Sequence, residues 1–484
     1  MLNLKTNQSG AMFVTALMVT AIFLASAIGL VSLGLYRYKL YLQETAKQQV
    51  LHIAEAGINY YRWHLAHAPN DFYDGTGGDP GDPGEPYGPY EHNYTAPSSD
   101  LTGAFSLEIT PPVGSSTIVR IKSTGWTDNY PNIKRTVEAR YGIPSSAHYS
   151  FLTNANAWFK ENASISGEAH ANGGIRMDGL NNSLVTSLKE TYECGYSNGC
   201  CTCVPVTDCW KPSRCPGDAC CSQTKPGIWG AGAGSALWNY PVPIVDFNTI
   251  TMDISQFQAS ALAFGPSGGS NKGYHIIFQP NGTFDVYKVN TLKATLSQFN
   301  DDWTAFVKIA EEINTQTLLS NYPIPANGQI FFEDDIWVEG TVKGRATIVA
   351  AVLPDNVNKR KTIYINNNIN YLARDGNHIL GLIAQKHIKV PRHAPTDLNI
   401  DAIILAQNGH VYRSKYDTPR VTNSITVYGG ILSYQEWSWK WVSGITVTDG
   451  YTNTASIYDP QATYAPPPSF PTTGEYVFIS WEEK

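Results

Sequence analysis

Between Ala11 and Tyr36 the chain carries no charged side chain. As a helix rising 1.5 Å per residue, that run is roughly 39 Å long, against a hydrocarbon core of about 30 Å, so it is long enough to cross a bilayer. Ala25, Ser26 and Ala27 form the A-x-A pattern of a cleaved signal, but the apolar run continues well past them and exceeds a signal core of about 7–15 residues. Lys5 lies on one side and Arg37 and Lys39 on the other, which leaves orientation open on charge alone. Beyond the run, Ala46, Val50, Ile53, Ala54, Gly57, Ile58, Tyr61 and Leu65 recur at three- and four-residue steps, an amphipathic stripe. No proline occurs between Ala11 and Ala68. The pattern predicts one continuous helix, its first half in lipid and its second half against a globular domain.

The stretch NQSGAMFVTALMVTAIFLASAIGLVSL, with AEAGI at Ala54 to Ile58, resembles type IV pilins and pseudopilins, in particular the PilX-type large minor pilins. The likeness covers about the first 140 residues. It implies that residues 1–10 are a cytoplasmic prepilin leader, that a prepilin peptidase cuts between Gly10 and Ala11, and that residues 11–68 are the pilin helix. It further implies other pilins and minor pilins and the inner-membrane pilus assembly machinery as partners. The protein would be single-pass in the inner membrane before assembly and part of an extracellular pilus afterwards. Most major pilins carry Glu at the fifth mature position, where this chain has Thr15, a departure that points away from the bulk filament subunit.

Pro69 to Pro97 is dense in Gly and Pro and reads as a loop; Asp79, Asp82 and Glu85 within it lack the spacing of a calcium loop. Phe105–Ile109, Thr117–Ser123 and Lys134–Tyr141 are short β-branched and aromatic segments separated by turns, a β-meander that completes a headpiece over 69–142. In the remainder, Ala384-Gln385, Ala406-Gln407 and Gly429-Gly430 each close a strand-like run at intervals of about 22 and 24 residues, as successive coils of a β-solenoid do. An antiparallel sandwich is the competing architecture. The solenoid is assigned to 143–458, with a Cys-rich insertion at 192–223 and an α/β insertion at 246–320. A helix is expected over Asp301–Leu319 from the spacing of Phe306, Ile309, Ile313 and Leu318. Residues 459–484 read as a Pro-rich linker and a strand that returns to an existing sheet. The fold class is therefore mainly β with one long N-terminal helix: a pilin-like helix and meander, then a solenoid with a disulfide-rich insertion.

All eight cysteines, Cys194, Cys200, Cys201, Cys203, Cys209, Cys215, Cys220 and Cys221, fall within that one insertion. An even count in an exported segment with little to bury suggests disulfides; zinc is the alternative, though paired CxxC knuckles are lacking. Trp437, Trp439 and Trp441 alternate, so on a strand they share a face. They would either stack sugars or bases or cap the end of the core. Between Asn356 and Lys440 there are eleven Lys/Arg against five Asp/Glu, inside a chain of net charge −7. Lys386, Lys389, Arg392, Arg413, Lys415 and Arg420 would line up on stacked coils as a stripe for DNA or an acidic glycan, or as ordinary solvated charge.

Catalysis has thinner support. Asp375, Asp397, Asp401 and Arg413 occupy no diagnostic motif, and His64 and His67 stand three apart on the helix without a recognisable ligand set. No catalytic residue, metal or cofactor is assigned. The sequence reading is a minor pilin-like subunit at a filament tip, priming assembly and touching a host surface or extracellular polymer. A DNA-capturing pilin and a membrane-anchored glycan-binding protein are its alternatives.

Overall fold

The computed structural model describes residues 8–77, 84–97, 101–195, 200, 223–247, 254–443 and 446–484. The chain divides into two compact units, one gathering residues up to Val113 with Ile118–Gly142 and Tyr476–Lys484, the other Gly114–Thr117 with Ile143–Glu475. The protein is mainly β, with one long helix at its N-terminus.

In the first unit α1 runs from Gln8 to His67 without a break. Every member of the amphipathic stripe is buried, and its apolar side chains pack on Phe105, Leu107, Ile109, Val119, Ile121, Val137 and Ala139. These come from β2 (Thr102–Thr110), β3 (Ile118–Thr127) and β4 (Tyr130–Gly142), whose alternation of buried and exposed positions matches a sheet covered on one face. The helix comes unusually close to the sheet: a Cβ on Gly125 would lie 2.6 Å from the Ala54 nitrogen and 2.7 Å from the Val50 carbonyl oxygen. Backbone therefore meets backbone, and no side chain can swing away to relieve the contact.

Two parts of this sheet lie outside the expected meander. Residues Tyr87–Thr95, inside the segment read as a loop, form β1 and pair antiparallel with β2, Tyr90 facing Leu107 and His92 facing Phe105. Their Gly and Pro content hid an alternation of Tyr90, His92 and Tyr94 on the partly buried side. At the other edge the terminal strand Val477–Glu483 pairs antiparallel with β4, so the sheet is five-stranded in the order β1, β2, β3, β4, terminal strand.

The second unit is a parallel β-solenoid, which excludes the sandwich. Its clearest rung runs Phe264, Phe332, Ala350, Ala384, Ala406, Ser433, Thr153, Ala171, Ser187, each paired in parallel register with the next. Ala384 and Ala406 are thus equivalent, as their spacing suggests, but the following equivalent is Ser433, whereas Gly429 faces Ala402. The winding is not sequential. The coil containing Tyr149–Thr153 stacks on the coil containing Val421–Ser433, although the two stand at opposite ends of the domain's sequence.

The insertions also differ from expectation. A short helix occupies Ile254–Ser260, but Asp301–Leu319 is not helical: Leu296–Phe299 and Phe306–Ile309 form an antiparallel hairpin, and Ile313–Pro323 pairs with Thr283–Leu292. Val307, Ile309, Ile313, Thr315 and Thr317 favour strand, and the apparent helical spacing is incidental. The Pro-rich stretch is not a free tether either, since Phe470 is buried and the Pro468 carbonyl accepts the Thr347 hydroxyl at 2.6 Å.

The close helix–sheet contact yields a test. Gly125→Ala must push backbone apart and is expected to cost about 1–3 kcal/mol, read as a lower urea midpoint of the full chain in detergent, while Gly265→Ala, where a Cβ meets open space on backbone that is not left-handed, should change stability by less than about 1 kcal/mol.

Candidate functional site

The residues proposed as a polymer-binding face do not form one. Trp437 and Trp439 precede the strand Lys440–Ser443 rather than alternating along it. Trp439 is 2% exposed. Trp437 sits on Phe151 and Phe159 and meets Trp439 edge to face. Trp441 packs on Phe299 and Trp303 and donates its indole N–H to the Arg413 carbonyl at 3.0 Å. The three indoles thus have different surroundings and no shared open face. They cap no solenoid end either, because the Tyr149–Thr153 coil lies on top of theirs.

The basic residues are mostly committed within the fold. Lys389 is 3% exposed and pairs at 2.8 Å with the buried Glu311. Arg413 is 1% exposed and pairs at 2.6 Å with Asp449, which also accepts the backbone N–H groups of Tyr416 and Arg420. Lys386 pairs with Asp301 at 2.5 Å. Arg420 donates to the carbonyls of Arg392 and Ala394, Arg392 to that of Thr418, and the Lys415 ammonium lies 5.2 Å from the Phe299 ring centre. Most of these groups hold the 296–309 hairpin and the neighbouring loops to the coils. A stripe of free positive charge for counterion release is not what they make.

Glu311 is the centre of this network. Burial works to raise its pKa, but Lys389, the Tyr416 hydroxyl and the Arg392 N–H outweigh burial and hold the carboxyl below its usual range. Beside it, Asp301 faces His387 at 3.2 Å, the His387 ring accepts the His410 backbone N–H at 2.9 Å, and Trp303 stacks on His410 at 4.5 Å. Burial depresses the pKa of both histidines, that of His410 to about 4.

The other candidates are separate from one another. Asp401 is buried and binds Arg374 at 2.8 Å; Asp397 accepts Ser424 and Asn423; Asp375 accepts Asn377. His64 faces Asp71 at 3.2 Å, whereas the His67 ring bonds the Trp63 carbonyl. Among the described residues no group of three or more His, Cys, Asp or Glu is placed to hold a metal. Cys194 and Cys200 form a disulfide, Cα–Cα 5.6 Å; Cys201, Cys203, Cys209, Cys215, Cys220 and Cys221 lie outside the described residues.

Sequence reasoning missed a cross-strand stack. Trp158, Arg176 and Trp229 are directly paired on three parallel strands, and the Arg176 guanidinium lies 4.4 Å from one indole and 4.9 Å from the other. Lys160 and Lys225 add to the two ends. These residues are far apart in sequence, and only knowledge of the register would have joined them.

One surface does stand unpartnered in the isolated chain. From Met12 to Tyr41 the large apolar side chains of α1 are exposed, and this is the one helix among the described residues long and apolar enough to cross a membrane. Gly10 lies at its start, with open space around it. Thr15 returns its hydroxyl to the carbonyls of Ala11 and Met12 at 3.1 and 3.0 Å, so its polarity is satisfied inside the helix, as lipid requires.

No family model matches the chain, and no curated protein does. Among solved structures, the competence-associated pilin ComZ from Thermus thermophilus aligns over 91% of this chain and 98% of that one, at 14% identity and a TM-score of 0.30. That score is below the range in which two chains share one fold.

Two outcomes follow from the buried network. Lys389→Met strands the Glu311 carboxylate and is expected to cost about 3–5 kcal/mol, whereas Lys386→Ala at the half-exposed Asp301 pair should cost less than about 1 kcal/mol, both read by urea unfolding. For pH, His410 titrates near 6.5 when unfolded and at about 4 when folded. The folded chain therefore binds fewer protons between those values, and its stability falls as pH drops from 6.5 to 4, by on the order of 3 kcal/mol. His410→Asn keeps a donor to the Glu436 carbonyl but cannot titrate, and should flatten that segment of the stability–pH curve.

Proposed function

We propose that the chain is a minor pilin-like subunit of a type IV filament, inserted in the inner membrane through α1, cut after Gly10 by a prepilin peptidase, and extracted into a filament that leaves the cell surface. The observation that carries the reading is α1 itself: one uninterrupted helix whose first half exposes only uncharged side chains while its second half is buried on an antiparallel sheet. Few soluble folds have use for such a helix. Its bare half needs lipid before assembly and neighbouring helices afterwards, which makes other pilins and minor pilins its partners and the inner-membrane assembly machinery its route.

A position at the filament tip fits two features. The second unit is more than twice the size of the first, into which it is inserted, and repeating such a bulk along a shaft is costly in space. Thr15, bonded within its own helix, offers no carboxylate to a neighbouring subunit. In this position the solenoid would be the surface that meets an extracellular polymer or host surface. DNA capture through the 386–441 region loses its basis, because the groups invoked for it are largely buried or paired. The remaining cysteines are proposed to be oxidised like Cys194 and Cys200.

Terminal sequencing of the protein from sheared filaments tests the reading. The mature chain should begin at Ala11, and Gly10→Val should leave full-length protein in the membrane and none in filaments. A mature terminus at Ile28 would show a cleaved secretory signal and overturn the proposal, and gold labelling along the whole shaft would overturn the tip position.

A further inference from the structure

On the outward face of the solenoid a groove of about 560 Å³ crosses successive coils. Its floor is one rung of outward residues, Thr426, Ala455, Ser164 and Leu180, each in parallel register with the next. Three strand-to-strand steps make that floor about 14 Å long. Small side chains at its middle set it below its surroundings. One wall is the loop Ala231–Ala233, drawn in where Gly232 donates to the Met177 carbonyl at 2.9 Å and the Ala231 N–H reaches Asp178 at 3.1 Å. A Cβ on Gly232 would collide with the Gly179 carbonyl, so the wall depends on that glycine. The other wall holds Glu161 and Asn162, fixed from behind by bonds to their own carbonyls from Lys440 at 3.0 Å and from the Thr454 N–H at 3.1 Å.

The polar groups around this groove are available. Among the described residues no hydrogen bond is made by the side chains of Glu161, Asn162, Ser164 or Thr426, nor by the hydroxyl of Thr454, which lines the groove although the residue is only 6% exposed. The lining contains two carboxylates and no Lys, Arg or His. Asp178 is already bound by Arg176 at 2.7 Å and by the Trp158 indole at 2.8 Å, which leaves Glu161, attracted to Lys440 behind its wall, as the exposed charge. No lining residue carries a positive charge to neutralise a phosphate or a sulfate.

We propose that this groove binds an extended, uncharged oligosaccharide laid along the solenoid axis. Sugar hydroxyls both donate and accept, matching a lining of one carboxylate, one amide and several hydroxyls, and the apolar face of a ring can rest on Ala455 and Leu180. The strand spacing is close to the advance of one pyranose unit, so successive rings sit over successive strands. The inference stands whether or not the chain enters a filament.

Full-length protein in detergent is titrated calorimetrically with cellotetraose, chitotetraose, mannotetraose and maltotetraose, and in parallel with a heparin-derived tetrasaccharide and a single-stranded decanucleotide. At least one neutral probe is expected to bind with an affinity that changes less than twofold between 50 and 500 mM salt. Ser164→Trp, which fills the floor, should weaken it at least tenfold, and Glu161→Ala, on the exposed rim, about threefold, with the urea midpoint of each unchanged. If Ser164→Trp does not fold, Glu161→Ala decides. Failure of all four neutral probes at millimolar concentration, an affinity untouched by both variants, or tighter binding of either anionic probe overturns the proposal. The N-terminal sequence from filaments is unaffected by any of these results.

Discussion

Each coil of a parallel solenoid presents an unpaired strand edge above and below, and that hydrogen-bonding demand governs the whole second unit. Ile431 to Ser433 would be left open at one such edge, and they are closed by Phe151 to Thr153, from the first strand of the same domain. Thr454 to Ile457 are closed likewise by Ala163 to Ser166. The first coil in sequence thus lies in the middle of the stack. The 421–458 coil is therefore an inner layer of the stack rather than its end: Trp439 is buried there, while Thr426 and Ala455 still face outward.

The same stacking explains why a local charge of +6 makes no ligand surface. A flat coil can expose its charges, but here the 296–309 hairpin and the segment after it lie against the coils and bring Asp301 and Glu311 to Lys386 and Lys389, while the strand Thr446–Tyr458 brings Asp449 to Arg413. Paired ions with extra bonds from Tyr416 and backbone N–H groups satisfy the groups that burial would otherwise penalise. Such a network fixes one docking geometry for the hairpin, since a slip would strand Glu311 without a counter-ion. The compensating acids come from outside the 356–440 window or from loops, which is why counting charges along the sequence could not find them.

Legibility follows interaction range. The stripe from Ala46 to Leu65 was readable because a helix face depends on neighbours three and four residues away, and the strands of β2 to β4 because alternation is local too. The equivalence of Ala384 and Ala406 came from a short repeat. What failed was either non-local or disguised: β1 lay behind Gly and Pro, the 301–319 segment carried β-branched residues at accidental helical spacing, and the Trp158, Arg176 and Trp229 stack exists only once three distant strands share a register. Of the candidate site, Gly10 and the helix were visible in the sequence. The groove was not, because its floor is drawn from four strands of two widely separated segments.

The solenoid is an insertion rather than an appended tail, and this orders the folding of the whole chain. During synthesis α1 emerges first and β1 to β4 can pair on it soon after, through connections of fewer than twenty residues. The terminal strand, however, reaches β4 only after the entire second unit has been made, a closure across more than three hundred residues. Until then the outer edge of β4 is an open template for another strand. Loop closure grows more costly only logarithmically with length for a flexible chain, and a folded solenoid shortens the effective loop further by bringing Ser145 and Thr463 within hydrogen-bonding distance. Arg135 with Glu483, and Arg140 between Glu138 and Glu482, then select the register. Sealing of the β4 edge by Val477–Glu483 is therefore favoured in molecules whose second unit has already folded, because the chain that must be closed is then effectively shorter.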